Sequence, residues 1–337
     1  MKKVFKQQEF FIFIILLIIS AIITIINPKF LSIGNIFSVL KSTTVLGILS
    51  IGVLLVIILG GIDVSFPAIA AFSMYTSSLI VLNTIPNANI IIIFIIAMII
   101  GAVCGFINGF LIAKYDFPAM VVTLGTSGAL LGFMYTFIGT RINHRLSPSL
   151  IEFGKTTIFN ISSDGVIVGL PLAYIIYILI ALIVSFLLRY TMFGHSIYAI
   201  GGDQISAIRI GLKVRNTKII VYMFVGILAG IAGVIHSSYL RMSNPFELYG
   251  TELLVIASVI LGGATIGGGR GTVTGTFLGM LLITIISNSL ILLGVPSYWQ
   301  KVVIGIFILL SVSIPQLVRK YTDKIIEGFI YEKNNCR

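Results

Sequence analysis

Between two long apolar stretches, the segment from Tyr198 to Leu212 carries paired glycines, Gly201 and Gly202, followed by Asp203, Ala207, Ile208, Arg209 and Gly211. Paired glycines permit a sharp change of chain direction. An aspartate directly behind them caps the start of a short helix by accepting backbone N–H groups. Ala207, Ile208 and Gly211 then offer a small apolar contact surface. The pattern suits a docking element for a soluble partner, or an ordinary amphipathic loop at the membrane interface. A second polar break, Gly60, Gly61, Ile62, Asp63, Val64 and Ser65, sets a carboxylate between two apolar runs. Charge at membrane depth is costly and faces a cavity or a partner. A helix N-cap at the interface is the plainer role for Asp63, and the two are compatible. Asn108, Asn288, Thr123 and Thr126 are amides and hydroxyls inside or near apolar runs, with Tyr298, Trp299 and Gln300 near the last one. Such groups suit a neutral polyol, although Tyr298 and Trp299 read first as interfacial anchors.

Other chemistries find little support. The run from Gly267 to Gly271, with Arg270 inside it, lacks the Lys-Ser/Thr ending of a nucleotide loop and reads as a flexible cytoplasmic turn between spans. His144, His195 and His236 are scattered, with no metal-ligand spacing. Cys104 lies inside a span and Cys336 in the tail, so neither a disulfide nor a metal framework is expected. No Ser/His/Asp, Cys/His or carboxylate-pair set stands out as catalytic.

The elements that position these residues must be membrane helices. Of 337 residues, 58% are hydrophobic and only 10% charged, with a mean hydropathy of +1.12. A soluble chain of this length needs far more charge. Spans of about 20 apolar residues fall near 9–26, 44–60, 65–82, 89–113, 118–138, 171–188, 218–240, 251–266, 271–293 and 299–317. Those at 44–60, 65–82 and 251–266 are short or rich in Ser, Thr and Gly, and are candidates for broken or buried segments. The first run has no small-residue cleavage site after it and reads as a retained span. The expected fold is an all-α polytopic bundle of about ten spans with both termini cytoplasmic. It is read as one domain over 1–337, with a bundle at 9–317, a cytoplasmic loop at 189–217 and a cytoplasmic tail at 318–337. This orientation places 15 of the 22 Lys and Arg inside and 7 outside, as the positive-inside rule favours. Net charge of +11 is thereby explained by topology, with no call for nucleic acid. The segment 139–170 is then a solvated external loop.

Glycines recur at every fourth position: Gly101, Gly105 and Gly109; Gly226 and Gly230; Gly271, Gly275 and Gly279. This spacing lets helix backbones approach closely, within one subunit or between subunits. The sequence Ile58 to Gly61 is echoed at Ile260 to Gly263, without a repeat that can be registered.

Several motifs in order resemble the ribose-type permeases of ABC importers. They are the Gly60–Ser65 element, Val122 to Thr126, Tyr198 through Gly211, and Leu261 to Gly279 with Asn288 and Gly294 to Gln300. The resemblance covers roughly 40–315. It departs at Phe66-Pro67, Asp203, Ile205 and Ser206. It implies a pore-forming subunit of the bacterial cytoplasmic (inner) membrane. Expected partners are ABC ATPase subunits, a second permease copy or paralogue, and an extracytoplasmic sugar-binding protein. ATP and magnesium would be used by the ATPase, with no cofactor in this chain. Gly201, Gly202, Asp203, Ala207, Ile208, Arg209 and Gly211 would form the ATPase-coupling segment. Asp63, Asn108, Thr123 and Asn288 would lie near the translocation path. The expected cargo is a monosaccharide, with autoinducer-2 as the alternative. An ion-coupled transporter would need more ionisable groups mid-span than His236 and Asp63 provide.

Overall fold

The computed structural model describes residues 2–163 and 166–296, with 299, 302, 305, 306 and 309. Eight helices among them are long and apolar enough to cross a membrane. They are α1 (Lys2–Ile26), α2 (Ile33–Ile58), α3 (Phe66–Thr84), α4 (Ile90–Tyr115), α5 (Ala119–Phe133) continued by a π turn (Met134–Ile138), α7 (Leu172–Tyr190), α10 (Val214–Leu240) and α12 (Val273–Leu292). Short helices α6 (Pro148–Lys155), α8 (Met192–Gly202), α9 (Gln204–Arg209) and α11 (Glu252–Leu261) connect them.

Helix α2 is the hub. Nearly every residue from Thr43 to Ile58 is buried, and α10, α12, α7 and α11 pack around it. The expected span at 44–60 begins too late. Ser32 caps α2 by accepting the Asn35 N–H, so the helix starts at Ile33 and takes Lys41 inside it. The span expected at 65–82 is α3, and its Ser-rich faces are buried, as anticipated for a segment inside the bundle. The span expected at 251–266 shrinks to the ten residues of α11. A helix of that length rises only about 15 Å, half a bilayer core of about 30 Å. The segment expected at 299–317, the tail, Tyr298 and Gln300 lie for the most part or wholly outside the described residues.

The chain is not all-α. An antiparallel hairpin, β1 (Thr157–Ser163) and β2 (Val166–Pro171), occupies the segment expected to be a simple solvated loop. Ile158, Ile161 and Val168 supply β-branched strand formers, and a register irregularity between Ile158 and Ile161 spans Phe159, whose φ is +54°. Before it, α6 buries Leu150 and Phe153, with Phe153 edge-on to Phe94 of α4 at 5.4 Å.

Two ends of the bundle are defined by contacts. At one, Thr272 bonds to Glu9, Lys218 faces Asp116 at 3.9 Å, and α8–α9 lies. At the other, Asn27 reaches the Leu292 carbonyl, Tyr75 reaches the Arg141 carbonyl, and the hairpin lies.

The glycine ladders serve packing within one chain. Helices α4 and α10 make the most extensive helix–helix contact among the described residues. A Cβ on Gly101 would overlap the Gly226 carbonyl, one on Gly226 the Gly101 carbonyl, and one on Gly230 the Ala97 carbonyl. Gly275 and Gly279 do the same against Gly262 and Ser258 of α11's end. By contrast, Gly125, Gly128 and Gly132 of α5 have open space beside them. Overpacking costs about 1–3 kcal/mol or more. Gly226→Leu should therefore lower the melting temperature of the purified protein markedly, while Gly128→Ala should leave it nearly unchanged.

Candidate functional site

Two polar centres sit at the α8–α9 end, and the structure joins them. The first surrounds Asp63 in the link between α2 and α3. Helix α2 stops at Ile58 because Gly60 adopts φ +90°, and the Gly61 N–H closes onto the Val56 carbonyl. That is the glycine closure common at helix C-termini. The chain echo noted above has the same form: Gly263 has φ +95°, and the Ala264 N–H closes onto the Val259 carbonyl. The echo is thus structural, displaced by one residue.

Beyond the turn, Asp63 is 1% exposed. Its Oδ1 accepts both the Ser65 N–H and the Ser65 hydroxyl at 2.7 Å. Ser65 accepts in turn from Asn108 Nδ2 at 2.8 Å, and Asn108 Oδ1 accepts from the Thr126 hydroxyl at 2.6 Å. Thr123 Oγ1 accepts the Val64 N–H at 3.3 Å. The knot thus ties the start of α3 to α4 and α5. Asn108 lies seven residues from the end of α4, about 10 Å deep, so the α2–α3 link dips into the bundle. Three of the four expected path residues, Asp63, Asn108 and Thr123, come together here. Asn288 does not. It is half-buried on α12, a helix that packs on α2, α11, α1 and α7 and makes no substantial contact with α4 or α5. Sequence reading missed Ser65 as the centre of the knot, although its place two residues after an aspartate is the signal.

The second centre is the α8–α9 elbow. Gly201 and Gly202 end α8, and Asp203 caps α9 by accepting the Ile205 N–H at 2.9 Å and the Ser206 hydroxyl at 2.5 Å. The Ser206 hydroxyl first, and its backbone N–H next, hold the exposed Asp203 carboxyl below its ordinary value of 3.8. The cap is complete above that value and is lost as pH falls through the lowered one. Ala207 is buried, while Ile205, Ile208 and Ile210 are exposed. Arg209 is also exposed, and Gly211 turns the chain at φ +83°.

The join is made of glycines. A Cβ on Gly201 would overlap the Ile58 carbonyl at the end of α2, and one on Gly268 would overlap the Gly201 carbonyl and lie 2.9 Å from Gly60 Cα. The Gly269 N–H donates to the Ile58 carbonyl at 2.8 Å. The Tyr198 hydroxyl donates to the Gly271 carbonyl at 2.7 Å. The Gly267–Gly271 loop, read from sequence as a flexible turn, is therefore wedged between the α8–α9 elbow and the α2–α3 turn.

No group of three or more His, Cys, Asp or Glu that could hold a metal occurs among the described residues. Cys104 is buried, and Cys336 lies outside the described residues. His236 meets Glu247 at 3.3 Å, and Asn244 donates to the same carboxylate at 3.3 Å. The His236 bond holds Glu247 below its ordinary value of 4.5. His236 is thus tied to a loop at the hairpin end.

The chain matches, over residues 35–312, the family described as branched-chain amino acid transport system / permease component. It belongs to this permease family. This permease is 37% identical over 300 residues to the ribose import permease protein of Bacillus subtilis (strain 168), covering 89% of this chain and 90% of that one. It is 32% identical over 314 residues to the D-allose transport system permease protein of Escherichia coli (strain K12), with 91% of each chain covered. To the autoinducer 2 import system permease protein of Photorhabdus luminescens it is 30% identical over 316 residues, covering 93% of this chain and 91% of that one. No solved structure matches it. With its apolar helices, the permease is a multi-pass protein of the bacterial inner membrane and a transport component of the ABC importer class, not an enzyme.

The hydrogen-bond directions of the knot make a prediction. Asn108→Leu removes two buried bonds and should cost about 1–3 kcal/mol. Asn108→Asp should be worse at neutral pH, because it sets a second buried carboxylate against the Ser65 hydroxyl that already serves Asp63. Melting of both variants in detergent checks this, and a milder Asp variant would contradict the directions.

Proposed function

We propose that this permease forms the transmembrane path for a monosaccharide of the ribose type, delivered by an extracytoplasmic binding protein and driven by ATP hydrolysis, with magnesium, on ABC ATPase subunits. The reading that carries most weight is the wedging of the α8–α9 elbow against the end of α2. An ATPase that seats the exposed Ile205, Ile208 and Arg209 surface of α9 moves a segment with no slack. Gly201 and Gly268 press on the α2–α3 turn, and Asp63 lies three residues past Gly60. The Asp63 knot is then the part of the path that responds. Such a contact transmits only if its energy differs between conformations, and close backbone packing meets that condition because it has no soft side chain to absorb displacement. Asn288, on α12, would contribute from another wall.

In this reading α11 with its flanking chain and the segment 299–317 complete about ten crossings. Both termini and α8–α9 face the cytoplasm, and the hairpin faces outward. A second permease, either a copy or a paralogue, completes the pore. The autoinducer 2 relative supports a second cargo class in the same architecture. An ion-coupled transporter finds little support, since Asp63 is the only buried Asp, Glu, Lys, Arg or His among the described residues and His236 is engaged by Glu247.

Uptake of labelled ribose by cells expressing the permease with a partner ATPase and binding protein tests the energy source. Uptake should survive collapse of the proton gradient by a protonophore while ATP is maintained, and should stop when ATP is depleted. Asp63→Asn should reduce it while leaving the protein inserted. Loss of uptake on protonophore alone would favour the ion-coupled mechanism.

A further inference from the structure

Residues 241–251 run as a strap at the hairpin end, from the close of α10 to the start of α11. Four contacts hold the strap to other elements. Ser243 exchanges both backbone bonds with Asn143, at 2.8 and 2.9 Å. Its hydroxyl accepts from Ser78 of α3 at 3.2 Å. The Phe246 ring lies 4.9 Å from that of Tyr135, in the π turn that continues α5. The Glu247 carboxylate meets His236 of α10 at 3.3 Å and is steadied by Asn244 of the strap itself. Three helices, α3, α5 and α10, are thus joined through one short segment.

The strap is strained where it bends. Arg241 has φ +53° and Leu248 has φ +67°, a region that bulky side chains avoid. Leu248 is also buried in the core. Residues in such conformations persist only where their surroundings over-determine them, and they gather at clamps and switches. Hinges are residues of this kind, at the ends of elements, that absorb a backbone change.

The side-chain contacts are easily released. Those to Ser78 and His236 lie at or beyond the long end of hydrogen-bond distances. At their other end, α3 and α5 are tied by the Asp63 knot through bonds of 2.6–2.8 Å. The two helices therefore carry short bonds at the α8–α9 end and long ones at the strap.

We propose that residues 241–251 are a moving outer clamp, with Glu247 on His236 as its latch and Arg241 and Leu248 as its hinges. Latched, it holds α3 and α5 against α10. It lifts when the path opens outward to admit cargo, because those helices cannot part from α10 at this end while its contacts stand. The inference rests on the path and the outward orientation given under Proposed function.

The test uses the full chain in intact cells, with its partner ATPase and binding protein and with Cys104→Ala and Cys336→Ser as background. Ser78→Cys with Ser243→Cys places two thiols where the hydroxyls now touch. A mild oxidant should bridge them, ribose uptake should then fall to the level of cells lacking the permease, and a reductant should restore it. Undiminished uptake with the bridge formed would overturn the clamp, and so would failure of the bridge to form. A second arm needs no transport. Ser243 is buried, so Ser243→Cys alone should react slowly with an impermeant methanethiosulfonate. Adding Glu247→Ala should speed that reaction about threefold or more, as loss of a charge-assisted bond implies, while Glu252→Ala at the start of α11 should not. An unchanged rate in Glu247→Ala would remove the latch. Absence of ribose uptake in the unbridged background would instead count against the cargo, and the labelling arm would still decide the clamp. A cysteine at the exposed Tyr249 that labels only after permeabilisation would overturn the orientation.

Discussion

The carbonyl of Ile58 is the contact on which the architecture of the α8–α9 end depends. It ends the central helix, accepts the Gly269 N–H, and lies so close to Gly201 that a single methyl group there would overlap it. Three chain segments far apart in sequence meet at this point with backbone against backbone. Close-packed interiors have low compressibility and transmit strain. A displacement of α8 therefore reaches α2 with no rotamer to absorb it. The conformational latitude of glycine is used for approach at Gly201 and for the left-handed turn at Gly60.

The same turn fixes Asp63. Once Gly60 redirects the chain, the link enters the bundle and its polar groups must find partners there. Ser65, Asn108 and Thr126 supply them in a single file from α3 through α4 to α5. The file leaves Asp63 satisfied by hydrogen bonds alone. A buried carboxylate of this kind is sensitive to small movements of its donors, which is the property the proposed coupling asks of Asp63.

Much of this was legible in the sequence, for physical reasons. Apolar runs gave the eight long helices because a bilayer demands them. The every-fourth-residue glycines of α4 and α10 gave a tight helix pair. Asp203 gave a cap, and Asp63 and Asn108 gave a polar centre. What remained hidden depends on partners distant in sequence. The wedging of Gly268 between Gly201 and Gly60 cannot be read from any local pattern, and a glycine-rich loop looks flexible until its neighbours are known. Asn288 has the same chemistry as Asn108 but faces different helices. The early start of α2 rested on one capping residue, Ser32, and its omission placed Lys41 in a loop. The hairpin was missed because its short, irregular strands sit in a segment whose polar residues resemble those of a loop.

The most direct measurement is ATP hydrolysis by the reconstituted permease–ATPase complex, with and without ligand-loaded binding protein, for Gly201→Val. The side chain would strike the Ile58 carbonyl while leaving the exposed face of α9 intact. The variant should assemble with the ATPase as the wild type does. Its stimulation by binding protein should fall by roughly tenfold or more, within the usual range of coupling free energies. Gly202→Ala, which meets nothing within 4 Å, should behave as wild type. Full stimulation and uptake by Gly201→Val would contradict transmission through the Ile58 contact.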